Sequence, residues 1–400
     1  MSETRKCTHR VHFFCGRSPV TEESRCPAVK DLLSFFDEVF PFDLAADWDN
    51  VGLLVGREKK EVSSILVTLD VVPETVEEAR SLGVDLIVSH HPLFVEPQKK
   101  ISDANPKTEV LLNLASDGIA LISLHTNADL SPRGVSFWLA QELGAQEVAP
   151  LKETSFEKEF KVVVFTPQDA VPDVLKAAFD AGAGWIGNYS RCSFRAPGTG
   201  TFFPEEGANP RVGERGIYQE VAEDRVEVVV PEKNLSAVLA SISSAHPYET
   251  PAVDVYPLRG KAARGWLGVL FEVDPPASFS SYLGFIQERL SPGILRYAGD
   301  PGRVIRKVAL LGGSGGSFVD EVARSDADLY VSGDLKYHQV QLLVEAGKCV
   351  ADVGHYDSEK FFVPRVGQMI GERFPRVTVH FSRRRTDPFA LYGEERDTAK

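Results

Sequence analysis

Four hundred residues, 43% hydrophobic and 25% charged, are too many for one comfortable core, so two or three domains are expected. A net charge of −13 argues against sequence-independent nucleic-acid binding, which needs Lys and Arg to displace counterions; the one dense basic cluster is Arg383-Arg384-Arg385. No run of eighteen apolar residues and no signal-peptide core occurs, and five scattered cysteines suit a reducing compartment, so a cytoplasmic protein without a membrane span is expected.

Residues 1–27 are polar, show no sustained apolar period, and read as a tail. Cys7, His9, His12 and Cys15 lie within it at spacings that match no zinc finger. From Asp31 onward, strands and helices alternate. Ser64–Asp70 reads as a buried strand, followed by a helix at Pro73–Leu82 with proline near its start and Gly83 just past its end. Asp85–Ser89 and Ile119–Leu124 read as further strands. Ser131 reads as an N-cap, with Pro132 at the first helical position and Gly144 closing the helix. Continuous apolar strands alternating with helices predict a largely parallel sheet covered on both faces.

Residues 157–256 change style. Strands Phe160–Phe165, Arg225–Val230 and Val253–Tyr256 and helices Pro172–Ala181 and Leu235–Ala245 read as three strands and the two helices of a β-α-β-β-α-β order, the ferredoxin-like plan. The earlier style returns with strands Val308–Gly313, Asp328–Ser332 and Cys349–Val353.

Polar, metal-binding residue types crowd the carboxyl ends of these strands, where parallel sheets place ligand sites. His90 and His91 stand together in Ser89-His-His-Pro92, and Pro92 breaks the strand so that both rings can converge. The next strand ends in His125-Thr-Asn-Ala-Asp129, where Asp129 offers a carboxylate and His125 is either a ligand or a partner of one. Gly354-His-Tyr-Asp-Ser-Glu359 places His355 and Glu359 four apart, on one face of a helix. Three imidazoles and two carboxylates exceed one four-coordinate ion with an open position and suit two. Asp334, Lys336 and His338 end another strand and either face the same crevice or form a solvated junction. Gly312–Ser317 could cradle phosphate at a helix start, or be a tight turn; it lacks the lysine of a P-loop.

Trp48-Asp-Asn-Val-Gly-Leu-Leu-Val-Gly56, Ser89-His-His-Pro-Leu-Phe94, His125–Asp129, Ser332-Gly-Asp-Leu-Lys-Tyr-His338 and Gly354–Glu359 stand in an order that resembles the GTP cyclohydrolase I type 2 homologue family, also called Ngg-interacting-factor-like. Arg264-Gly-Trp-Leu-Gly268 is similar to the point where the family's second half resumes, and Thr386-Asp-Pro-Phe389 to its end. The resemblance implies two divalent ions held by His90, His91, Asp129, His355 and Glu359, and a hexameric toroid. It also implies that the insert, with His246-Pro-Tyr-Glu-Thr-Pro251, is similar to PII- and CutA-type trimer-forming domains.

The expected fold is therefore α/β: two similar halves, 28–152 and 261–390, form one metal-binding core. An inserted ferredoxin-like α+β domain at 153–260 interrupts it, and tails lie at 1–27 and 391–400. The expected function is metal-dependent hydrolysis of a nucleotide or related small molecule, with GTP ring opening as the named candidate. His125 or His338 would handle the proton, and the ions would be zinc, iron, manganese or nickel. The competing expectation is a non-enzymatic metal carrier or regulatory scaffold.

Overall fold

The computed structural model describes residues 26–156, 158–258 and 263–390, so most of the N-terminal tail, with Cys7, His9, His12 and Cys15, and the tail from 391 lie outside the described residues. Helix α1 (Val29–Val39) leads into β1 (Gly52–Val55), β2 (Ser64–Thr68), α2 (Pro73–Leu82), β3 (Leu86–Ser89), α3 (Pro106–Asp117) and β4 (Ala120–Ser123). Strands β2, β3 and β4 pair in parallel with Thr68, Ser89 and Ser123 level, so their carboxyl ends form one rim. Every residue of β3 and β4 is buried, the physical reason for their unbroken apolar sequence. Helices α2 and α3 supply the crossovers that parallel pairing requires. Both begin with proline, and both end on a glycine in the left-handed region.

The helix expected from Ser131 forms differently. A single turn, α4 (Thr126–Asp129), follows β4 directly, Ser131–Gly134 is a turn, and α5 begins only at Val135 and runs to Glu142. Gly134 decides this: a Cβ there would lie 1.7 Å from the Ala128 carbonyl oxygen, so only glycine permits the approach.

The chain continues through β5 (Ala149–Phe156), β6 (Glu159–Pro167), α6 (Val171–Asp180), β7 (Phe194–Phe202), β8 (Gln219–Pro231), α7 (Glu232–Ala245), β9 (Val253–Leu258) and β10 (Ala263–Ser278). Strands β7-β8-β6-β9, in that order, make a four-stranded antiparallel sheet. Val162, Val164, Val226 and Val228 of that sheet pack against Val174, Ala178, Val238 and Ile242 of α6 and α7 in a core drawn only from residues 162–253. On either side of this unit, β5 and β10 pair antiparallel, with Phe156 opposite Ala263.

The last third comprises α8 (Phe279–Leu290), β11 (Arg296–Ala298), β12 (Val304–Ser314), α9 (Val319–Arg324), β13 (Leu329–Gly333), α10 (Tyr337–Glu345), β14 (Cys349–Asp352), α11 (His355–Glu359), α12 (Phe362–Arg373) and β15 (Thr378–Phe381). A six-stranded sheet has the order β11-β14-β13-β12-β10-β5, parallel at β12-β13-β14 and antiparallel at its flanks. The expectation of largely parallel sheets thus holds for the centres and for the edge strand β15, while β1, β5, β10 and β11 pair antiparallel.

The five-stranded sheet has the order β1-β4-β3-β2-β15, so the last strand among the described residues returns to the first sheet. Helix α12 goes with it, placing Phe362, Val366 and Ile370 in a core with Leu32, Phe36 and Val67. In exchange, α5 contributes Leu139 and Ala140 to the core of the six-stranded sheet.

Candidate metal centre

The rim of the first sheet carries His90 and His91. The Ser89 hydroxyl, 2.9 Å from the His91 carbonyl and 2.8 Å from the Ser123 hydroxyl, fixes the strand end that aims the two rings. Helix α11 brings His355 and Glu359 from the rim of the second sheet, after a turn at Gly354 with φ 78°. Glu359 reaches the centre past bare backbone: a Cβ on Gly313 would lie 2.2 Å from its Oε1. The glycine run is therefore a packing turn. The N–H groups of Gly312, Gly313 and Gly315 already donate to Ser136, Ser358 and Gly333, which leaves them no role in cradling phosphate.

Each imidazole is oriented through Nδ1. His90 meets the Leu124 carbonyl at 2.8 Å, His91 meets Asp70 at 2.7 Å, His125 meets Asp49 at 2.9 Å, and His355 meets Asp334 at 2.8 Å. An acceptor at Nδ1 places the proton there and leaves Nε2 with a lone pair, the tautomer that metal-binding histidines adopt. The Nε2 atoms of His91 and His355 face each other at 3.3 Å, and each lies 3.1 Å from Glu359 Oε2. On the other side, His90 Nε2 is 3.5 Å from Glu359 Oε1 and 3.6 Å from Asp129 Oδ1. Lone pairs converging this closely repel unless a cation lies among them.

Three overlapping donor groups result, each with its atoms within 4.8 Å: His90, His91 and His125; His91, His355 and Glu359; and His90, Asp129 and Glu359. His90 Nε2, Asp129 Oδ1 and Glu359 Oε2 are buried without a hydrogen-bond partner. Each such atom costs about 1–3 kcal/mol in a buried site. Three together fit a divalent cation, which these imidazole and carboxylate donors suit.

The electrostatics agree. Burial alone would lower the pKa of His91, but Asp70 and Glu359 outweigh it and raise the imidazole to about 10. Burial likewise opposes His355, which Glu359 and Asp334 raise to about 9. Burial works to raise Glu359, yet the surrounding imidazoles, His90 foremost, hold it well below the usual carboxylate range. Asp129 moves the other way, raised chiefly by burial. Protons on His91 and His355 thus stand where a metal would, and metal binding would release them.

All five residues expected as ligands meet here, and His125 joins them. His338 does not: it is exposed on α10, 3.3 Å from Gln341, and belongs to none of the donor groups. Asp70 and Asp49 were not singled out from the sequence. Asp70 carried the signal already read at Asp129, a carboxylate at the end of an apolar strand on the same rim. Asp49 sits in the Trp48-Asp-Asn motif, where it also accepts from the Thr126 backbone at 3.0 Å. Asp334, weighed as a crevice residue, proves to be the partner of His355, and it adopts φ 56°.

The family model described as Duf34/NIF3 (NGG1p interacting factor 3) matches residues 27–388. A Bacillus subtilis protein named GTP cyclohydrolase 1 type 2 homolog is 33% identical over 366 residues, which cover 90% of this chain and 98% of that protein. A Mycobacterium tuberculosis protein of the same name is 34% identical over 366 residues, covering 90% and 96%. Among solved structures, a Bacillus cereus protein related to NIF3 superposes with a TM-score of 0.75 at 35% identity, covering 92% of this chain and all of that one. A Staphylococcus aureus protein superposes with a TM-score of 0.77 at 28% identity, covering 92% and 99%. The chain belongs to the Duf34/NIF3 family.

Proposed function

We propose that the chain is a dinuclear divalent-metal hydrolase acting on a nucleotide or related small molecule. One observation carries this reading: the two oxygens of Glu359 face different donor groups, Oε2 toward His91 and His355 and Oε1 toward His90. A carboxylate so placed would bridge two ions, one held with His91 and His355 and the other with His90 and Asp129. Zinc, iron, manganese or nickel suits such ligands. When bound, a pair of this kind lowers the pKa of water toward about 7 and polarises an electrophile.

The chain's own residues would do the rest. His125, beside His90 and His91 and held by Asp49, is better placed than His338 to take or give the reacting proton. The name shared by the relatives, GTP cyclohydrolase 1 type 2 homolog, supports a nucleotide substrate and makes GTP the first to test.

The same reading covers the architecture. We take the five- and six-stranded sheets as two α/β halves of one metal-binding core. The four-stranded unit would be an inserted ferredoxin-like domain of PII/CutA type. Because Phe156 and Ala263 are cross-strand neighbours, its boundaries are better drawn at 157–262 than at 153–260. Closed assembly as a hexamer in the cytoplasm completes the proposal; light scattering should then report about six chain masses. No helix among the described residues is long and apolar enough to cross a membrane.

Metal analysis beside a nucleotide-hydrolysis screen, with and without chelator, tests the function. Two equivalents of metal per chain and chelator-sensitive turnover are expected. Bound metal with no turnover of GTP or other nucleotides would leave a carrier or scaffold and remove the hydrolase. No metal at all would remove both.

A further inference from the structure

The segment after β15 is tied to both sides of the candidate metal centre. Pairing of β15 with β2 delivers it beside Asp70, just past the end of β2. The Thr386 hydroxyl donates to Asp70 Oδ2, while Asp70 Oδ1 accepts from His91 Nδ1 at 2.7 Å. The neighbouring Arg385 turns to the other sheet's ligands. Its guanidinium lies 5.3 Å from the centre of the Tyr356 ring and 3.6 Å from the buried carboxylate of Asp357, both on α11 between His355 and Glu359. Asp387 completes the grip by pairing with Arg385 at 2.9 Å. Further back, Ser382 and the Arg383 backbone N–H anchor the segment to Glu78, at 2.6 and 3.0 Å.

We infer that residues 382–387 form a strap that positions the metal centre, with Thr386 orienting His91 through Asp70 and Arg385 holding α11 in place. The physical case is the division of labour. His91 and His355 must keep their Nε2 atoms 3.3 Å apart although they rise from different sheets, and adjacent residues of this segment contact the supports of each. A threonine hydroxyl that donates to one oxygen of Asp70 leaves the other free to accept from imidazole and fixes its direction. Arg385, one of the three residues of the basic cluster noted in the sequence, thereby acquires a task.

This inference rests on the metal-centre reading above, and the test separates the two. Full-length wild type, Thr386→Val, Thr386→Ser, Arg385→Ala and His91→Ala would be loaded with Zn2+ alone and titrated against a chelator of known affinity. Thermal melts with and without Zn2+ would accompany the titration. Thr386→Val should weaken one of two Zn2+ equivalents about tenfold, the low end of the range found when direct partners of metal ligands are removed, because Thr386 acts one step further out through Asp70. Thr386→Ser should restore it, and Arg385→Ala should weaken binding in the same direction. Metal-free Thr386→Val should melt as wild type does while gaining less from Zn2+, which a merely structural role would not produce. Wild-type Zn2+ affinity in Thr386→Val, or equal loss in Thr386→Ser, overturns the strap and leaves the metal centre standing. Wild type that binds no Zn2+, as little as His91→Ala, overturns the metal centre and the strap with it.

Discussion

The metal-centre region and the four-stranded unit are built on opposite plans. The centre gathers His90 and His91 from one sheet and His355 and Glu359 from the neighbourhood of another, more than 260 residues later in the chain. Its two sheets exchange pieces: β15 and α12 return to the first, and α5 packs on both. The four-stranded unit closes its own core from residues 162–253 and leaves and rejoins the chain at paired neighbours, Phe156 and Ala263. Where candidate ligands come from two interlocked sheets, no cut along the sequence preserves the site. Where a core is contiguous, one cut removes the unit whole.

The sharpest way to break that contrast is Glu359→Ala. The proposed centre shares this residue between both ions, so both should be lost, whereas His355→Ala should lose at least one. Elemental analysis of the purified variants decides it, and wild-type occupancy in either would end the assignment.

A smaller effect is expected one step from the ligands. Asp70→Asn or Asp334→Asn keeps the shape of the partner of His91 or His355 but removes its charge, and should weaken metal binding about tenfold to a hundredfold while the fold persists. Competition against a chelator would show it. Unchanged affinity would mean that packing alone orients the rings.

pH should separate the regions next. In metal-free protein, His91 and His355 are raised to about 10 and about 9, above an ordinary value near 6.5. A raised imidazole contributes stability that is fully present below the unfolded pKa and is lost as pH climbs through the folded one. Metal-free protein should therefore melt at progressively lower temperature between about pH 6.5 and pH 10, and metal should suppress the trend. His91→Gln should flatten the metal-free profile. A melting temperature that rises across this window in metal-free wild type would contradict the charge balance described above.

The smallest effect is the one expected from the largest change. Replacing residues 157–262 by an Asn-Gly turn, which suits a two-residue hairpin between β5 and β10, should leave metal content unaltered. Loss of metal from a folded deletion protein would show that the four-stranded unit shapes the centre after all.

Much of the site was legible in the sequence because strand ends are local features. Ser89-His-His-Pro92 needs only a buried strand and a breaker to place two imidazoles on a rim, and the His355/Glu359 spacing needs only one helical turn. The same local logic found α2 to the residue, since proline and glycine punctuate both its ends. It failed at Ser131, whose capping signal lost to the close backbone approach at Gly134. It also passed over Asp70, whose meaning depends on lying beside His91.

By itself the sequence determined the imidazole and carboxylate types gathered at the candidate centre, the alternation of buried strands with helices, the change of style near residue 157 and the family motifs. Each of these is carried by residues close together along the chain, where periodicity and turn chemistry act directly. Only the tertiary structure decided which strand joins which sheet, which carboxylate backs which imidazole, and that Glu359 faces two donor groups at once. Those choices depend on contacts between segments hundreds of residues apart, where complementary burial and hydrogen-bond satisfaction across the whole fold select the partner and no local pattern records it.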